Sequence, residues 1–239
     1  MSTDKSSIVT GAGSGVGRAV ALRLASEGWH VAMVGRTAEK LHETRSLAPA
    51  SHRERLHPFP CDIAKADEVE SVANEAVKVI GTISLLVNCA GTNIGKRSLA
   101  DLSTDDFQSV MSANLNGAFY FVHAVLPGMR KLGEGTIVNV ISDAGLLANA
   151  KAGPAYVASK FGLTGLTQSI NAEERHNGIR ACGIFPGDIA TPLLDKRPVP
   201  PPPEARAKML QPEDLVDCVM LCVNLPGRAV VEQMLVRPR

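Results

Sequence analysis

The stretch Thr10-Gly11-Ala12-Gly13-Ser14-Gly15-Val16-Gly17 follows the first apolar run of the chain and precedes a segment with helical periodicity. Glycine permits a tight turn and lets backbone N–H groups approach a bound pyrophosphate, whose charge the positive end of a helix dipole also favours. A glycine-rich turn is a weak indicator alone, but its position between a first strand and a first helix favours a phosphate-binding role. The G-x-G-x-x-G spacing does not fit, and because no lysine follows Gly17 a nucleoside-triphosphate loop is disfavoured.

Short apolar runs alternate with longer segments of helical period along the rest of the chain. Nearly continuous apolar runs, such as residues 137–141, are typical of strands that are covered on both faces. Repeated alternation of strand and helix predicts an α/β fold, a doubly wound (Rossmann) seven-stranded parallel sheet with helices on both faces. The predicted strands are 7–10, 30–35, 56–60, 85–88, 136–142, 180–186 and 230–236. The predicted helices are 15–27, 38–46, 65–79, 104–131, 154–175 and 212–223.

The length of 239 residues and the hydrophobic content of 45% allow a large core, and we expect residues 1–239 to form a single domain. Residues 188–210 depart from the alternation because they carry the run Pro198-Val199-Pro200-Pro201-Pro202-Pro203, and proline at this density forbids a regular strand or helix interior. A long loop after the carboxyl end of a strand lies beside the ligand crevice in such folds. The segment is therefore expected to be a substrate-side loop, with an ordinary surface loop as the alternative.

Composition argues against several classes of partner. A formal net charge of +1 offers no electrostatic footprint for nucleic acid or an anionic membrane. The chain has neither a secretory apolar segment nor an apolar run of about 18 residues, so no membrane association is expected. The five cysteines are odd in number and contain no C-x-x-C, which favours reduced thiols and a cytoplasmic protein. The histidines lack metal-ligand spacing, and no metal site is expected.

One of only two tyrosines, Tyr156, stands four residues before Lys160, so the two side chains share a helix face. A free phenol has a pKa of about 10. An ammonium about 4 Å away, at an effective dielectric constant of about 20, is worth up to roughly 4 kcal/mol. This energy lowers the pKa by up to about 3 units, which makes Tyr156 a usable general acid or base. The alternative is a half-buried tyrosine beside a lysine that faces solvent.

The T-G-x-x-x-G-x-G spacing of the opening stretch resembles that of the short-chain dehydrogenase/reductase family, and the resemblance covers nearly the whole chain. Further motifs stand in the order found in that family. They are Asn88-Cys89-Ala90-Gly91, similar to its N-N-A-G; Asn114, similar to its helix asparagine; Ser142, similar to its catalytic serine; Tyr156 and Lys160, similar to its Y-x-x-x-K; and Pro186-Gly187-Asp188-Ile189-Ala190-Thr191, similar to its P-G-x-x-x-T.

The resemblance implies a four-residue catalytic relay. Tyr156 would exchange a proton with the substrate oxygen, and Ser142 would orient that oxygen. Lys160 would lower the pKa of Tyr156 and hold the ribose hydroxyls of the nicotinamide, while Asn114 would hold a water that connects Lys160 to solvent. Taken alone, Ser142 is better explained as a strand-end hydroxyl satisfied by the backbone, and Asn114 as a polar residue that bends a helix; only together with Tyr156 and Lys160 do they favour catalysis.

The end of the second predicted strand bears on the choice of cofactor. Enzymes that bind NAD(H) usually have an acidic residue there to accept from the ribose 2′-OH, whereas this chain has Gly35 followed by Arg36. Because a guanidinium binds a 2′-phosphate with paired hydrogen bonds, NADP(H) is predicted over NAD(H). The alternative is that Arg36 stacks on adenine or faces solvent.

The complete set of cofactor-binding candidates follows from the resemblance and this argument. Asp62 is similar to the adenine-binding aspartate of the family, although an N-cap for the helix from residue 65 explains it nearly as well. The candidates are Gly11, Ser14, Gly15, Val16, Gly17, Arg36, Thr37, Asp62, Ile63, Asn88, Ala90, Gly91, Tyr156, Lys160, Pro186, Gly187, Ile189 and Thr191.

The expected function is that of an NADP(H)-dependent oxidoreductase acting on a small to medium alcohol or carbonyl substrate. Asp143 and Asp188, if they face the pocket, disfavour an acidic substrate, and the four leucines 146, 147, 193 and 194 suggest an apolar lining. The helices predicted at 104–131 and 154–175 pair in relatives, which implies a homotetramer or homodimer. A non-catalytic NADP-binding regulatory protein on the same fold is the alternative.

Overall fold

A computed structural model of the protein describes residues 5–239 and contains one seven-stranded sheet. Every pair of neighbouring strands is parallel, and the strand order is β3-β2-β1-β4-β5-β6-β7. The predicted doubly wound seven-stranded parallel sheet is therefore confirmed. The strands are β1 Ser6–Thr10, β2 His30–Gly35, β3 Leu56–Pro60, β4 Leu85–Asn88, β5 Gly135–Val140, β6 Ile179–Pro186 and β7 Gln233–Val236.

Helices cover both faces of the sheet because consecutive strand residues point to opposite sides. Val9 packs in the layer formed with Val20 of α1, whereas its neighbour Ile8 packs in the opposite layer with Phe121 of α6. The helices are α1 Gly15–Ser26, α2 Ala38–Leu47, α3 Ala50–Arg53, α4 Ala66–Ile80, α5 Thr104–Met111, α6 Gly117–Leu132, α7 Pro154–Glu174, α8 Pro203–Arg206 and α9 Pro212–Asn224.

The predicted continuous helix over 104–131 is wrong in its middle. A π-helical segment, Ser112–Asn116, separates α5 from α6. Asn114 lies in this segment and bonds to the backbone of Thr92 rather than facing solvent. Such insertions are rare and are found mostly at functional sites.

The strand predicted at 136–142 ends earlier, so Ser142 is not its last residue. The ladder stops at Val140, and Ser142 instead caps a 3₁₀ turn, Asp143–Gly145, by accepting the N–H of Ala144. The strand predicted from residue 230 is likewise shorter, since β7 begins at Gln233.

The two ends of the proline-rich segment are joined by backbone hydrogen bonds. Ala190 donates its backbone N–H to Leu210, and Leu210 donates to Asp188, at 2.8 and 3.1 Å respectively. The first prolines of the run lie outside any helix or strand, while Pro203 begins the short helix α8, a position that needs no backbone N–H. Residues 188–210 therefore form a loop whose two ends lie next to each other beside β6.

No helix within residues 5–239 combines the length and the apolar character that a membrane span requires. The same residues contain no group of three His, Cys, Asp or Glu side chains arranged to hold a metal ion.

Candidate functional site

A cleft of about 500 Å³ lies at the carboxyl ends of β1, β4, β5 and β6. Ligands bind at this edge in open α/β sheets, because the strand order reverses there. Most of the site residues expected from the sequence line the cleft together. They are Gly11, Ser14, Gly15, Val16, Gly17, Ala90, Gly91, Ser142, Tyr156, Lys160, Pro186, Gly187, Ile189 and Thr191.

The glycine turn has a backbone that only glycine tolerates well. Gly11 and Gly15 have φ of 69° and 51°, in the left-handed region. A Cβ on Gly17 would lie 2.4 Å from the carbonyl oxygen of Gly11, so the first turn of α1 packs directly on the loop. Here the predicted strand–glycine–helix unit is observed.

The turn is held against β4, and it leaves room for a pyrophosphate. Thr10 accepts the backbone N–H groups of both Cys89 and Ala90 through its hydroxyl, at 3.1 Å each. A Cβ on Gly15 would come within 3.1 Å of Thr191 Cγ2, so a side chain there would fill the gap between the turn and the loop after β6. The arrangement fits a dinucleotide that lies across the edge of the sheet.

The residues expected to contact the adenosine half lie beyond the cleft, at the carboxyl ends of β2 and β3. Arg36 and Thr37 are exposed, and within residues 5–239 no carboxylate lies within 4.0 Å of the Arg36 guanidinium. Asp62 accepts the backbone N–H of Ala64 at 3.2 Å. The alternative that Asp62 caps the following helix is wrong, since α4 begins at Ala66 and its N-cap is Lys65.

Asn88 does not bring its side chain to the cleft. Its Nδ2 donates to Oδ1 of Asn139 at 2.9 Å, and Asn139 in turn donates to the hydroxyl of Thr167 on α7. These three buried side chains tie β4 and β5 to the helix that carries Tyr156. Asn88 therefore supports the site from beneath and is not among the residues that line the cleft.

Asn114 also lies behind the cleft, and both N–H donors of its amide are used. Its Oδ1 accepts the N–H of Thr92 at 2.7 Å, and its Nδ2 donates to the Thr92 carbonyl and to the Ser159 hydroxyl. The π-helical segment is thus joined to the loop after β4 and to α7. A Cβ on Gly91 would lie 3.5 Å from Asn114 Oδ1 and 3.7 Å from Lys160 Nζ, so only glycine leaves the space between them open.

Lys160 does not face solvent, which removes the alternative considered from the sequence. The side chain is 3% exposed, and its Nζ donates to the Val140 carbonyl at 3.3 Å. Burial lowers the pKa of Lys160 to about 8, because the charged form loses its hydration.

The expectation that Lys160 lowers the pKa of Tyr156 is wrong for this arrangement. Burial of the phenol raises the pKa of Tyr156 above its ordinary value. The opposing influences come from a hydrogen bond with Ser142 and from the guanidinium groups of Arg197 and Arg97, while the Asp143 carboxylate adds to the increase. The cleft therefore favours a protonated Tyr156, the form that donates a proton.

Ser142 lies beside Tyr156, and its hydroxyl already makes two hydrogen bonds within its own turn. Its Oγ accepts the N–H of Ala144 at 3.2 Å and donates to Oδ1 of Asp143 at 3.3 Å. The backbone contact expected of a strand-end hydroxyl is thus present, and the same oxygen is close enough to act on the Tyr156 phenol.

Several residues that line the cleft were missed from the sequence. Asn93 and Arg97 belong to the loop after β4, while Arg197 and Arg237 come from later segments. The signal available for the first two was their place directly after the Asn88–Gly91 motif, at the carboxyl end of a strand. Of the four leucines expected in the lining, Leu193 and Leu194 are present, but the exposed 146 and 147 are not.

Comparison with known proteins agrees with this geometry. Residues 5–199 match the model of the family described as short chain dehydrogenase. The chain belongs to the short-chain dehydrogenase family. An uncharacterized oxidoreductase of Staphylococcus aureus (strain MW2) is 30% identical over 236 residues, which covers 99% of this chain and 98% of that protein. This short-chain dehydrogenase is accordingly an oxidoreductase.

Solved structures agree with the fold of this short-chain dehydrogenase along nearly its whole length. The closed form of serine dehydrogenase complexed with NADP+ has a TM-score of 0.87 at 25% identity, and covers 98% of this chain and 94% of that chain. A metagenomic short-chain oxidoreductase in complex with NADP has a TM-score of 0.81 at 28% identity, and covers 98% and 97%.

Proposed function

We propose that this protein is an NADP(H)-dependent oxidoreductase that moves a hydride between nicotinamide and a small to medium alcohol or carbonyl substrate. The observation that carries the proposal is that Tyr156, Ser142 and Lys160 line one cleft with the glycine turn. A proton donor and a site for a dinucleotide thus face the same space.

Each residue has a physical task in the proposed reaction. The nicotinamide, when bound, supplies the hydride in reduction or accepts it in oxidation. Tyr156 gives its proton to the carbonyl oxygen in reduction and takes a proton from the hydroxyl in oxidation. Ser142 turns its single hydroxyl proton from Asp143 to the same oxygen and so orients it beside the phenol. Because burial raises the pKa of Tyr156, the protonated form needed for reduction is well populated.

Lys160 and Asn114 act behind the reacting oxygen. The Lys160 ammonium lines the cleft, where we assign it the ribose hydroxyls, and its depressed pKa of about 8 makes it a ready source of a replacement proton. Asn114 keeps the π-helical segment and the Thr92 loop in register with α7, so that the space beside Gly91 stays open for a water.

The preference for NADP(H) over NAD(H) rests on Arg36 and the residues around it. The second strand ends in Gly35 and then Arg36, with no acidic residue to bind a ribose 2′-OH. The guanidinium is exposed and unpaired with any carboxylate of residues 5–239, so it is available to a 2′-phosphate. The remaining cofactor contacts are assigned to the candidates that line the cleft, with Thr37, Asp62 and Ile63 toward the adenosine.

The wider organisation follows from other features. Residues 5–239, the part of the chain that the structure describes, are assigned to a single domain, with 188–210 as the substrate-side loop over the cleft. All five cysteines are free thiols, which suits a cytoplasmic location.

Two exposed aromatic side chains support a homotetramer or homodimer. Phe119 on α6 is 47% exposed and Phe161 on α7 is 44% exposed. A second copy of the chain that pairs through these helices would bury both.

The test is NADPH oxidation measured against a panel of aldehydes, ketones, oxo acids and quinones. We expect turnover on a subset, and a loss of roughly 10²- to 10⁴-fold in kcat for Tyr156→Phe. Tyr120, the other tyrosine, packs against the core from α6, so Tyr120→Phe is the matched control and should retain activity. Binding of NADPH without oxidation on any substrate would instead favour the non-catalytic regulator.

A further inference from the structure

Arg97 is a buried arginine that lines the cleft beside the 188–210 segment. It is 8% exposed, and its terminal nitrogens donate to the backbone carbonyls of Lys151 and Lys196, at 3.4 and 2.6 Å. Its Nε is buried without an acceptor among residues 5–239, and no carboxylate of those residues lies within 4.0 Å of the guanidinium. The side chain therefore carries a buried charge with no counter-ion, an arrangement that proteins rarely keep without a purpose.

The two carboxylates of the cleft do not serve as that counter-ion. Asp188 is paired with Arg197, and Asp143 lies 3.6 Å from Arg237. Both carboxylates thus face the cleft, as the sequence allowed, but each is matched by an arginine. Arg97, Lys151 and Lys160 also line the cleft and have no acidic partner in the described chain, so the lining carries an excess of positive charge.

Arg97 is held in a fixed position relative to Tyr156. Gly153, with φ of 79°, comes directly before α7, and a Cβ on it would lie 2.6 Å from the Arg97 carbonyl oxygen and 2.8 Å from its Cβ. The loop after β4 is thereby packed against the start of the helix that presents Tyr156. The phenol and the guanidinium are close enough for each to affect the ionisation of the other.

We propose that the substrate carries a carboxylate, which Arg97 binds while the carbonyl or hydroxyl group of the substrate meets Tyr156. The inference rests on the proposed oxidoreductase function and narrows its substrate to oxo acids and hydroxy acids. Each terminal nitrogen of Arg97 has one N–H beyond those given to Lys151 and Lys196, and two such donors match the two oxygens of a planar carboxylate. A bound carboxylate also supplies the counter-ion that the buried guanidinium lacks.

The experiment measures NADPH oxidation with a series of oxo acids whose carbonyl and carboxylate carbons are two to five positions apart. Each acid is compared with its own methyl ester. We expect the acid to have at least about a tenfold higher kcat/KM than the ester for the best-fitting length, equivalent to about 1.4 kcal/mol. Arg97→Gln should bring this ratio close to one by raising KM for the acid, with little change for the ester. Arg97→Lys, which keeps the charge but not the planar pair of donors, should fall between them.

Arg180→Gln is the matched control. Arg180 also donates to backbone carbonyls, those of Pro226 and Ala229, but it lies outside the 188–210 loop and does not line the cleft. Its removal should leave the acid-to-ester ratio unchanged. An acid preference that survives Arg97→Gln would overturn the inference, as would a wild-type enzyme that prefers the ester.

A binding measurement covers the case in which Arg97→Gln does not fold. Calorimetry of the wild-type protein with NADP+ and a saturated acid of the same length should give binding, and the corresponding amide should bind at least about tenfold more weakly. Equal binding of acid and amide would overturn the carboxylate assignment. If esters are reduced and acids are not, the inference alone fails, whereas the absence of any turnover removes the proposed function.

Discussion

The ammonium nitrogen of Lys160 lies 5.5 Å from the centre of the Tyr156 ring, on the same face of α7. The contact is that of a cation against the face of an aromatic ring, and the nitrogen donates its hydrogen bond to Val140 instead. Lys160 is therefore a buried cation beside the phenol ring. Burial raises the pKa of Tyr156 and lowers that of Lys160, so in both groups it favours the neutral form.

This burial predicts how stability depends on pH. The pKa of Lys160 is about 8 in the folded protein and higher in the unfolded chain. Burying the charged ammonium therefore lowers the unfolding free energy fully below pH 8, and this loss disappears as the pH rises toward 10.5. Relative to Lys160→Met, the wild-type protein should gain about 3 kcal/mol of unfolding free energy over that range. Urea unfolding of both cofactor-free proteins at pH 7.5, 9 and 10.5 measures the difference. Lys131→Met is the control for loss of an exposed lysine, and parallel curves for wild type and Lys160→Met would refute the prediction.

Removing Arg36 should change the choice of cofactor. A charge-assisted hydrogen bond is worth about 1.5–3 kcal/mol, so Arg36→Ala should lower kcat/KM for NADPH by roughly 10- to 100-fold and leave that for NADH almost unchanged. Steady-state kinetics with both cofactors and one carbonyl substrate gives the ratio. Arg55→Ala, at the amino end of β3 and opposite the cleft, is the matched control. An unchanged preference in Arg36→Ala would show that the 2′-phosphate is recognised elsewhere.

A methyl group at Gly17 should disturb the cofactor cradle. Its Cβ would lie 2.4 Å from the Gly11 oxygen, and backbone on both sides must move to relieve the clash. Gly17→Ala is expected to lower the unfolding free energy by about 1–3 kcal/mol and to weaken NADPH binding, both measurable by thermal unfolding with and without cofactor. Gly227→Ala provides the comparison, since a Cβ there meets no atom within 4 Å. Equal melting temperatures for the two variants would contradict the packing argument.

A charge on the exposed face of α7 should disrupt the proposed pairing of subunits. Phe161→Glu would bury an unpaired carboxylate in that interface, so the protein should shift to a smaller species in sedimentation or light-scattering measurements. Leu47→Glu changes an apolar residue on α2 that is even more exposed than Phe161, and should leave the assembly intact. A Phe161→Glu protein of unchanged mass would place any interface elsewhere.

Local patterns account for most of what could be predicted of the fold and the site. The apolar runs and helical periods identified all seven strands, because burial on two faces leaves a mark on consecutive residues. The π-helical segment was missed, since a helix of period 3.6 and one with a single inserted residue have nearly the same pattern over so short a range. The pair of bonds between Asn114 of this segment and Thr92 joins residues that are 22 positions apart, which a local pattern does not reveal.

By itself the sequence determined the strand–glycine–helix unit, the order of the motifs and the pairing of Tyr156 with Lys160 on one helix face. These features depend on backbone conformation and on spacing within a few residues. Only the tertiary structure decided the direction of the Tyr156 pKa shift, the pairing of Asp143 and Asp188 with arginines, and the place of Arg97 in the cleft. Burial and charge act through space, and Arg97 is bonded to a residue 99 positions away in the chain.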